Sequence, residues 1–202
     1  MGLPAGLILA GGLSRRLGGG DKTLLALGGE TILARIARIV ALQVGPLLLN
    51  ANGDPARFGL DLPTVEDTVP QNPGPLAGIL AGLDYAAECL PQVSRLLTVP
   101  ADCPFLPADL VTRLEEAAGK DGAACAASGG RVHGVVGLWP ISARNTLRRL
   151  LLEDGQRRVD AWLATVGAAA VEWPVVPFDP FFNVNTPDDL AAAAAIVAGQ
   201  AG

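Results

Sequence analysis

The segment at residues 9–22 reads LAGGLSRRLGGGDK and places glycines and cations directly after a short apolar run. Glycine has no Cβ, so the backbone N–H groups of such a segment can approach an anion closely. Successive N–H groups form a concave surface with positive potential, which suits a phosphate group. Arg15, Arg16 and Lys22 add formal positive charge where a polyphosphate would lie. The segment therefore predicts a nucleotide-binding loop, and the alternative is a charged surface turn.

The spacing of this segment does not fit two common phosphate-binding motifs. The Walker motif fixes the distance between its glycines and a Lys-Ser/Thr pair, and Lys22-Thr23 does not have that spacing. The dinucleotide motif Gly-x-Gly-x-x-Gly opens a helix, and the glycine triplet at residues 18–20 lacks its pattern. A Rossmann dinucleotide cofactor is therefore disfavoured.

Asp102 follows the apolar run at residues 96–99, within the segment VPADCPFLP. A carboxylate at the end of a strand, in a turn stiffened by prolines, can hold a hard cation. Magnesium prefers one or two carboxylates together with substrate phosphate oxygens. We therefore predict Asp102 as a Mg²⁺ ligand, with an ordinary turn or N-cap aspartate as the alternative.

Short polar residues follow other apolar runs of the chain. Asn50, Asn52 and Asp67 could contact the base or ribose of a nucleotide, or could simply form turns. Gly78 lies in NPGPLAG near a predicted helix start, whose free N–H groups favour anions. The absence of a side chain at Gly78 could permit close approach of a base or of another helix.

Polar residues in the second half of the chain predict a second binding region. Asn183 and Asn185 precede a helix and could complete a magnesium shell, bind a phosphate or cap that helix. Arg157 and Arg158 could bind a second anionic substrate or form a solvated charged face. His133 is the only histidine, so a histidine-based triad has no other candidate base. We interpret it as structural or as a substrate contact.

Strand-like and helix-like segments alternate along the chain. The predicted strands lie at residues 6–10, 46–50, 64–66, 95–99, 123–127, 134–139 and 168–173. The predicted helices lie at residues 31–43, 76–88, 108–118, 141–152, 158–165 and 187–198. This alternation predicts a three-layer α/β fold with a mostly parallel sheet, and an antiparallel excursion for a second ligand after about residue 123. In such sheets ligands lie outside the carboxyl ends of the strands, where the polar segments above are expected to meet.

Composition narrows the class of protein. The 202 residues are 50% hydrophobic and 17% charged, which predicts one domain over residues 1–202 with a substantial core. The formal net charge of −5 argues against a nucleic-acid partner. Cys89, Cys103 and Cys125 lack metal-type spacing, which predicts free thiols in a reducing cytosol. Neither a secretory signal nor a membrane span is evident, so we predict a cytoplasmic protein with no membrane partner.

Six motifs occur in order along nearly the whole chain, namely LAGGLSRRLGGGDK, LLLNAN, VEDTVPQNPGPLAGILAGL, VPADCPFLP, GQRRVDAWL and FFNVNTPDDL. Together they resemble the molybdenum cofactor guanylyltransferases, a group of nucleotidyltransferases. The resemblance implies a Rossmann-like nucleotidyltransferase fold with a mostly parallel sheet. It also implies transfer of GMP from GTP to molybdopterin with release of pyrophosphate, Mg²⁺ as cofactor, and molybdoenzyme-maturation proteins as further partners.

The resemblance also implies roles for individual residues. The implied GTP-binding residues are Leu9, Ala10, Gly11, Gly12, Lys22, Asn50, Asp67, Gly78 and Asp102. The implied catalytic residues are Lys22, Asp102 and Arg16, with Asp102 also binding the metal, and the implied acceptor-binding residues are Arg157, Arg158, Asn183 and Asn185. Two positions depart from the family pattern, because Leu17 replaces a common methionine and Gly134 replaces a usual proline.

Two other functions remain open from the sequence. The first is a related nucleotidyltransferase that uses CTP or a sugar-phosphate acceptor, although the Ala-Gly-Gly run at residues 10–12 favours guanine within the resemblance. The second is a non-catalytic module that delivers cofactor, which would not need the pair of Lys22 and Asp102.

Overall fold

The computed structural model describes residues 2–11, 22–69 and 74–200. Its strands are β1 (Ala5–Leu9), β2 (Ala26–Leu27), β3 (Glu30–Thr31), β4 (Leu47–Asn50), β5 (Thr64–Val65), β6 (Arg95–Pro100), β7 (Ala124–Ser128), β8 (Arg131–Pro140) and β9 (Ala169–Trp173). Its α-helices are α1 (Ile32–Ala41), α2 (Pro75–Cys89), α3 (Leu110–Ala118), α4 (Arg144–Leu152), α5 (Val159–Val166) and α6 (Pro187–Gln200). Short 3₁₀ turns lie at Lys22–Leu24, Pro55–Phe58 and Ile141–Ala143.

Helix α1 shows how local sequence sets these elements. Thr31 is its N-cap, and the Thr31 hydroxyl accepts a hydrogen bond from the N–H of Ala34 at 3.1 Å. Such a cap contributes about 1 kcal/mol by satisfying an N–H that the helix leaves free. Ile32, Ile36 and Val40 recur at helical spacing and are all buried. The apolar period that predicts this helix is therefore the period of its buried face.

Seven strands form one twisted sheet in the order β5-β4-β1-β6-β8-β7-β9, and β2 pairs with β3 separately. Strands β5, β4, β1 and β6 are mutually parallel, and β9 is parallel to β7. Strand β8 is antiparallel to both β6 and β7. The mostly parallel sheet is therefore confirmed, and so is the antiparallel excursion expected after about residue 123.

Helices cover both faces of the sheet. Helices α1, α3 and α6 share one apolar cluster, represented by Ile36, Leu114 and Ala193. Helices α2, α4 and α5 share the other cluster. Adjacent residues of a strand point to opposite faces of the sheet, so Ile8 packs in the first cluster and Leu7 in the second. The three-layer arrangement is confirmed.

Among the described helices, none has the length and hydropathy needed to cross a membrane.

The predicted strands and helices are all present, with small differences at their ends. The predicted helix at residues 141–152 begins as the 3₁₀ turn Ile141–Ala143 before α4. Strand β8 begins at Arg131 because Gly129 and Gly130 form a tight turn from β7, with φ of 54° and 76°. Both positive φ angles suit the primed turns that join two strands, for which Gly-Gly is a known signal. This hairpin brings His133 into the sheet beside Ala126 of β7.

Candidate active site

A cavity of about 390 Å³ opens at the carboxyl ends of β1, β4 and β6. These ends coincide because Leu9 is in register with Asn50 on one side and with Pro100 on the other. The cavity is lined by Leu9, Gly11, Asn50, Asp67, Gly74, Pro75, Pro100, Asp102, Val135 and Asn183. The structure thus brings together six predicted site residues at the position where parallel sheets bind ligands.

Asp102 lies at the centre of a polar cluster beside this cavity. Its Oδ2 is 2.5 Å from the ammonium nitrogen of Lys22, and its Oδ1 accepts a hydrogen bond from Asn183 Nδ2 at 2.8 Å. Lys22 also donates to Asn185 Oδ1 at 2.5 Å. The side chains of Lys22 and Asp102 are only 17% and 18% exposed, so water screens this ion pair weakly. Four predicted residues from three separate segments therefore form one connected group.

The segment before α6 positions the two asparagines. Val184 is fully buried, and its N–H donates to the backbone oxygen of Asp102 at 2.9 Å. Thr186 Oγ1 accepts from Asp189 N at 3.1 Å, and Asp189 Oδ2 accepts from Thr186 N at 2.8 Å, which is a reciprocal helix cap. Because these two residues cap α6, the side chains of Asn183 and Asn185 are not needed for that purpose. The capping alternative for the asparagines is therefore wrong.

A second polar group closes the opposite side of the cavity. Asp67 accepts hydrogen bonds from Asn50 Nδ2 and Asn52 Nδ2, both at 2.9 Å. Asn50 Nδ2 also donates to the backbone oxygen of Val65 at 3.0 Å, so both of its N–H groups are used. The 2%-exposed Asn50 side chain is thereby fixed in one orientation. Its Oδ1 is left as an acceptor at the cavity.

Gly78 lies in α2 against this asparagine. A Cβ at Gly78 would lie 2.3 Å from Asn50 Oδ1 and 2.7 Å from Leu9 Cδ2, distances that are sterically forbidden. Helix α2 therefore approaches β1 and β4 closely at this point only because the residue is glycine. Its close neighbours are strand side chains, so the alternative of close packing against another helix is wrong.

Some predicted residues contribute differently or lie elsewhere. Ala10 is buried, and its N–H donates to the Asn50 backbone oxygen at 2.8 Å, so this amide is not available to a ligand. Gly12 and Arg16 lie outside the described residues, together with Arg15, and their roles stay predictions.

A second cavity of about 500 Å³ adjoins the first. It is lined by Pro100, Cys103, Arg131, Val132, His133, Gly134, Val135, Val136, Val159, Asp160, Leu163 and Asn183. Pro100, Val135 and Asn183 line both cavities. The antiparallel strand β8 and helix α5 therefore build a separate compartment beside the Asp102 cluster.

The predicted arginines lie outside this lining in the described structure. Arg158 is exposed and pairs with the exposed Asp160 at 2.5 Å, and that aspartate lines the second cavity. The hydrogen bond to Asp160 raises the pKa of Arg158, but exposed pairs of this kind contribute little to stability. Arg157 is exposed as well. Their role in acceptor binding stays a prediction.

Residues 6–167 match the MobA-like NTP transferase domain family. The molybdenum cofactor guanylyltransferase of Rhodopseudomonas palustris strain BisB5 is 54% identical over 190 residues, which cover 93% of this chain and 90% of that protein. The chain belongs to the molybdenum cofactor guanylyltransferase family.

Solved structures of other proteins have a similar fold. Molybdopterin-guanine dinucleotide biosynthesis protein A from Archaeoglobus fulgidus has a TM-score of 0.70 at 24% identity, covering 96% of this chain and 99% of that one. A Mycobacterium tuberculosis protein in complex with manganese also has a TM-score of 0.70, at 17% identity, covering 96% and 98%. These likenesses confirm the nucleotidyltransferase fold.

Gly134 permits a close contact between strand β8 and helix α5. A Cβ at Gly134 would lie 2.5 Å from Val159 Cγ1 and 2.9 Å from Leu163 Cδ1 of α5. Glycine therefore allows α5 to pack directly on β8 beside the second cavity.

Cys103 follows Asp102 but does not suit a reactive role. Burial raises the pKa of its thiol well above the ordinary value, and the carboxylates of Asp102 and Asp179 act in the same direction. A thiol in this state is a poor nucleophile and a poor metal ligand. Among the described residues, no three histidine, cysteine or acidic side chains gather around a common point.

Two residues behind His133 were not predicted from the sequence. Ser128 Oγ lies 2.8 Å from His133 Nε2 and donates to Asp179 Oδ1 at 2.8 Å. Ser128 and Asp179 are 51 residues apart in sequence, and neither belongs to a recognisable motif. Only the Gly-Gly turn signal could have suggested that Ser128 and His133 are neighbours.

Proposed function

We propose that this protein transfers GMP from GTP to molybdopterin and releases pyrophosphate. The observation that carries this function is the position of the Asp102 cluster where two cavities meet. Asn183 lines both cavities and donates to Asp102 at 2.8 Å. A nucleotide in the first cavity and an acceptor in the second would then present their reacting phosphates to the same carboxylate and ammonium.

The donor atoms around Lys22 fit a divalent metal ion. The Lys22 ammonium lies 2.5 Å from both Asp102 Oδ2 and Asn185 Oδ1, so a positive charge already occupies the space between a carboxylate oxygen and an amide oxygen. Oxygen ligands of these kinds suit Mg²⁺, which also keeps phosphate oxygens and water. Asp102 and Asn185 would hold the ion, and the ion would supply charge neutralisation at the transferred phosphoryl group. Lys22 would then be released to contact phosphate oxygens.

The chemistry needs positioning more than proton transfer. The terminal phosphate of the acceptor has a second pKa near 6, so its oxygen attacks the α-phosphorus of GTP as a dianion. The bond from the α-phosphorus to the bridging oxygen breaks, and pyrophosphate leaves with that electron pair. Both carboxylate oxygens of Asp67 accept hydrogen bonds from asparagine amides. One oxygen of Asp102 accepts from Asn183 and the other pairs with Lys22, so neither aspartate is placed to act as a base. Lys22 and Asn183 instead orient the reactants and offset their charge.

Asn50 provides a fixed point for nucleoside recognition. Val65 and Asp67 use both N–H groups of Asn50 Nδ2, so only Oδ1 is left for a ligand. An amide oxygen accepts hydrogen bonds, so the ligand must supply the donor. Guanine and ribose both carry N–H or O–H donors. We therefore assign Asn50 Oδ1 to the nucleoside of GTP, with Asp67 and Asn52 holding it in place.

Pyrophosphate release tests this function directly. Purified protein is incubated with GTP and Mg²⁺, with and without molybdopterin, and the dinucleotide product is identified by mass. The expected result is pyrophosphate that depends on both GTP and molybdopterin and is lost with a chelator. Release with CTP in place of GTP would support the cytidylyl alternative. Binding of molybdopterin without pyrophosphate from any nucleotide would support the cofactor-delivery alternative and overturn the function proposed.

Alanine at Gly78 tests the nucleoside assignment. The new Cβ must displace Asn50 Oδ1 and Leu9, so we expect KM for GTP to rise about tenfold, as for a lost hydrogen bond. We also expect overpacking to lower the free energy of unfolding by about 1–3 kcal/mol. Steady-state kinetics and chemical denaturation measure the two effects.

Gly82 of the same helix offers the matched control. A Cβ there would lie 2.5 Å from Leu7 Cδ2 and 2.9 Å from Leu96 Cδ2, away from the cavity. Gly82→Ala is therefore expected to lose stability in the same range with KM for GTP unchanged. Equal KM values for the two variants would argue against a role of Asn50 in nucleotide binding.

We infer that this reaction takes place in the cytoplasm. Cys89, Cys103 and Cys125 are all free thiols, and the last two are buried. Unpaired cysteines are typical of reducing compartments.

A further inference from the structure

His133 stands in the wall of the second cavity, on the antiparallel strand β8. Its ring packs against Phe181, with centroids 4.9 Å apart, and its backbone pairs with Ala126 of β7. Arg131 and Asn183 line the same cavity. The ring is thus held from two sides beside the compartment proposed for the acceptor.

Hydrogen bonds behind the ring determine which nitrogen carries the proton. Ser128 has one hydroxyl proton, and it donates this proton to Asp179 Oδ1 at 2.8 Å. The same Asp179 oxygen accepts from the N–H of Phe181 at 2.9 Å, which fixes the carboxylate. The Ser128 oxygen, 2.8 Å from His133 Nε2, must therefore accept from a protonated Nε2. Ser128 is only 2% exposed, so water does not compete for this bond.

The other ring nitrogen is consequently an acceptor. In a neutral imidazole with Nε2–H, the nitrogen Nδ1 carries a lone pair and no proton. Among the described residues no donor is hydrogen-bonded to His133 Nδ1, and this atom is not sealed from solvent. Burial lowers the pKa of His133 and nearby Arg131 adds to this, while the carboxylates of Asp179 and Glu172 oppose it. The net lowering keeps the ring neutral at pH 7.

We propose that Asp179 and Ser128 hold His133 in the Nε2–H tautomer so that Nδ1 accepts a hydrogen bond from an N–H group of the heterocycle bound in the second cavity. His133 is then an acceptor-binding residue, and Ser128 and Asp179 are positioning residues that act through it. This role rests on the proposed function, because molybdopterin is the heterocycle concerned. It assigns a direct contact to a strand residue rather than to the exposed arginines Arg157 and Arg158.

Two substitutions test the contacts of the two ring nitrogens of His133 separately. The amide of His133→Gln reaches the place of Nε2 and can still bond Ser128, but it offers no acceptor at the place of Nδ1. The amide of His133→Asn lies at the place of Nδ1 and cannot reach Ser128. We expect H133Q to raise KM for molybdopterin about 3- to 10-fold, with KM for GTP within about twofold of wild type. H133N is expected to retain a lower KM for molybdopterin than H133Q. Equal KM for molybdopterin in wild type and H133Q would overturn the role.

Nitrogen NMR tests the tautomer in the unmodified protein. His133 is the only histidine of the sequence, so its two ring ¹⁵N signals are assigned without ambiguity. We expect a protonated-type signal for Nε2 and an unprotonated-type signal for Nδ1, and the Nδ1 signal should shift when molybdopterin is added. Ser128→Ala should give a mixture of tautomers, because the acceptor for Nε2–H is removed. A proton on Nδ1 in the wild type, or no shift of Nδ1 at saturating molybdopterin, would overturn the proposal.

These measurements distinguish failure of the proposed function from failure of the role proposed for His133. Failure of the wild type to release pyrophosphate from GTP and molybdopterin would refute the proposed function. The tautomer and the response of Nδ1 to molybdopterin are read without turnover, so they still decide the role of His133.

Discussion

Replacement of Asp102 by asparagine is expected to lower the rate of guanylyl transfer about 10³-fold while leaving the fold intact. The loss follows because the side chain keeps its shape but no longer offers the charge that pairs with Lys22 and would hold a metal ion. The fold should persist because Asn183 can still donate to Oδ1, and Val184 still bonds the backbone oxygen of residue 102. Pyrophosphate release under saturating GTP and molybdopterin measures the effect.

Asp61→Asn is the matched control for this variant. Asp61 is exposed and lies outside the linings of both cavities, so the same chemical change should leave turnover within about twofold of wild type. Thermal denaturation and circular dichroism of Asp102→Asn establish that its fold is retained. Near-normal turnover of a folded Asp102→Asn variant would refute the metal-binding role.

Much of the fold follows from local sequence. The apolar spacing of Ile32, Ile36 and Val40 predicts α1, and the buried runs predict the strands that end at Leu9, Asn50 and Pro100. Because parallel strands place their carboxyl ends together, the meeting of their polar loops was also predictable. The two-residue strands β2 and β3 were not predicted, since elements this short carry no readable period.

The position of a site residue was predictable where that residue directly follows a strand or belongs to a motif. Asp102 and Lys22 are 80 residues apart and form an ion pair. Each lies in a motif that follows a predicted strand, so both were expected at the carboxyl ends of the parallel strands. The support for His133 was not predictable, because Asp179 reaches Ser128 through packing of a loop whose sequence has no period. The close fit of Gly134 against α5 likewise depends on how a helix docks, which local sequence does not specify.

Replacement of Lys22 by methionine is expected to lower kcat/KM for GTP about 10²- to 10³-fold, because no ammonium remains to offset the phosphate charge. Methionine preserves most of the aliphatic packing, and pyrophosphate release measures the loss. Lys120, the only other lysine of the sequence, is exposed, so Lys120→Met should leave kcat/KM unchanged. Equal losses in the two methionine variants would refute a specific role for Lys22.

The double variant of Lys22→Met with Asp102→Asn tests whether the pair acts as a unit. Each single change leaves a mostly buried partner unpaired, whereas the double change removes both charges. The loss of free energy of unfolding in the double variant should therefore be about 1–2 kcal/mol smaller than the sum of the single losses. Its activity should fall no more than about tenfold below that of Asp102→Asn, because groups that act together give non-additive losses. Fully additive losses in both measurements would mean that Lys22 and Asp102 work independently, in spite of the 2.5 Å that separates their charged atoms.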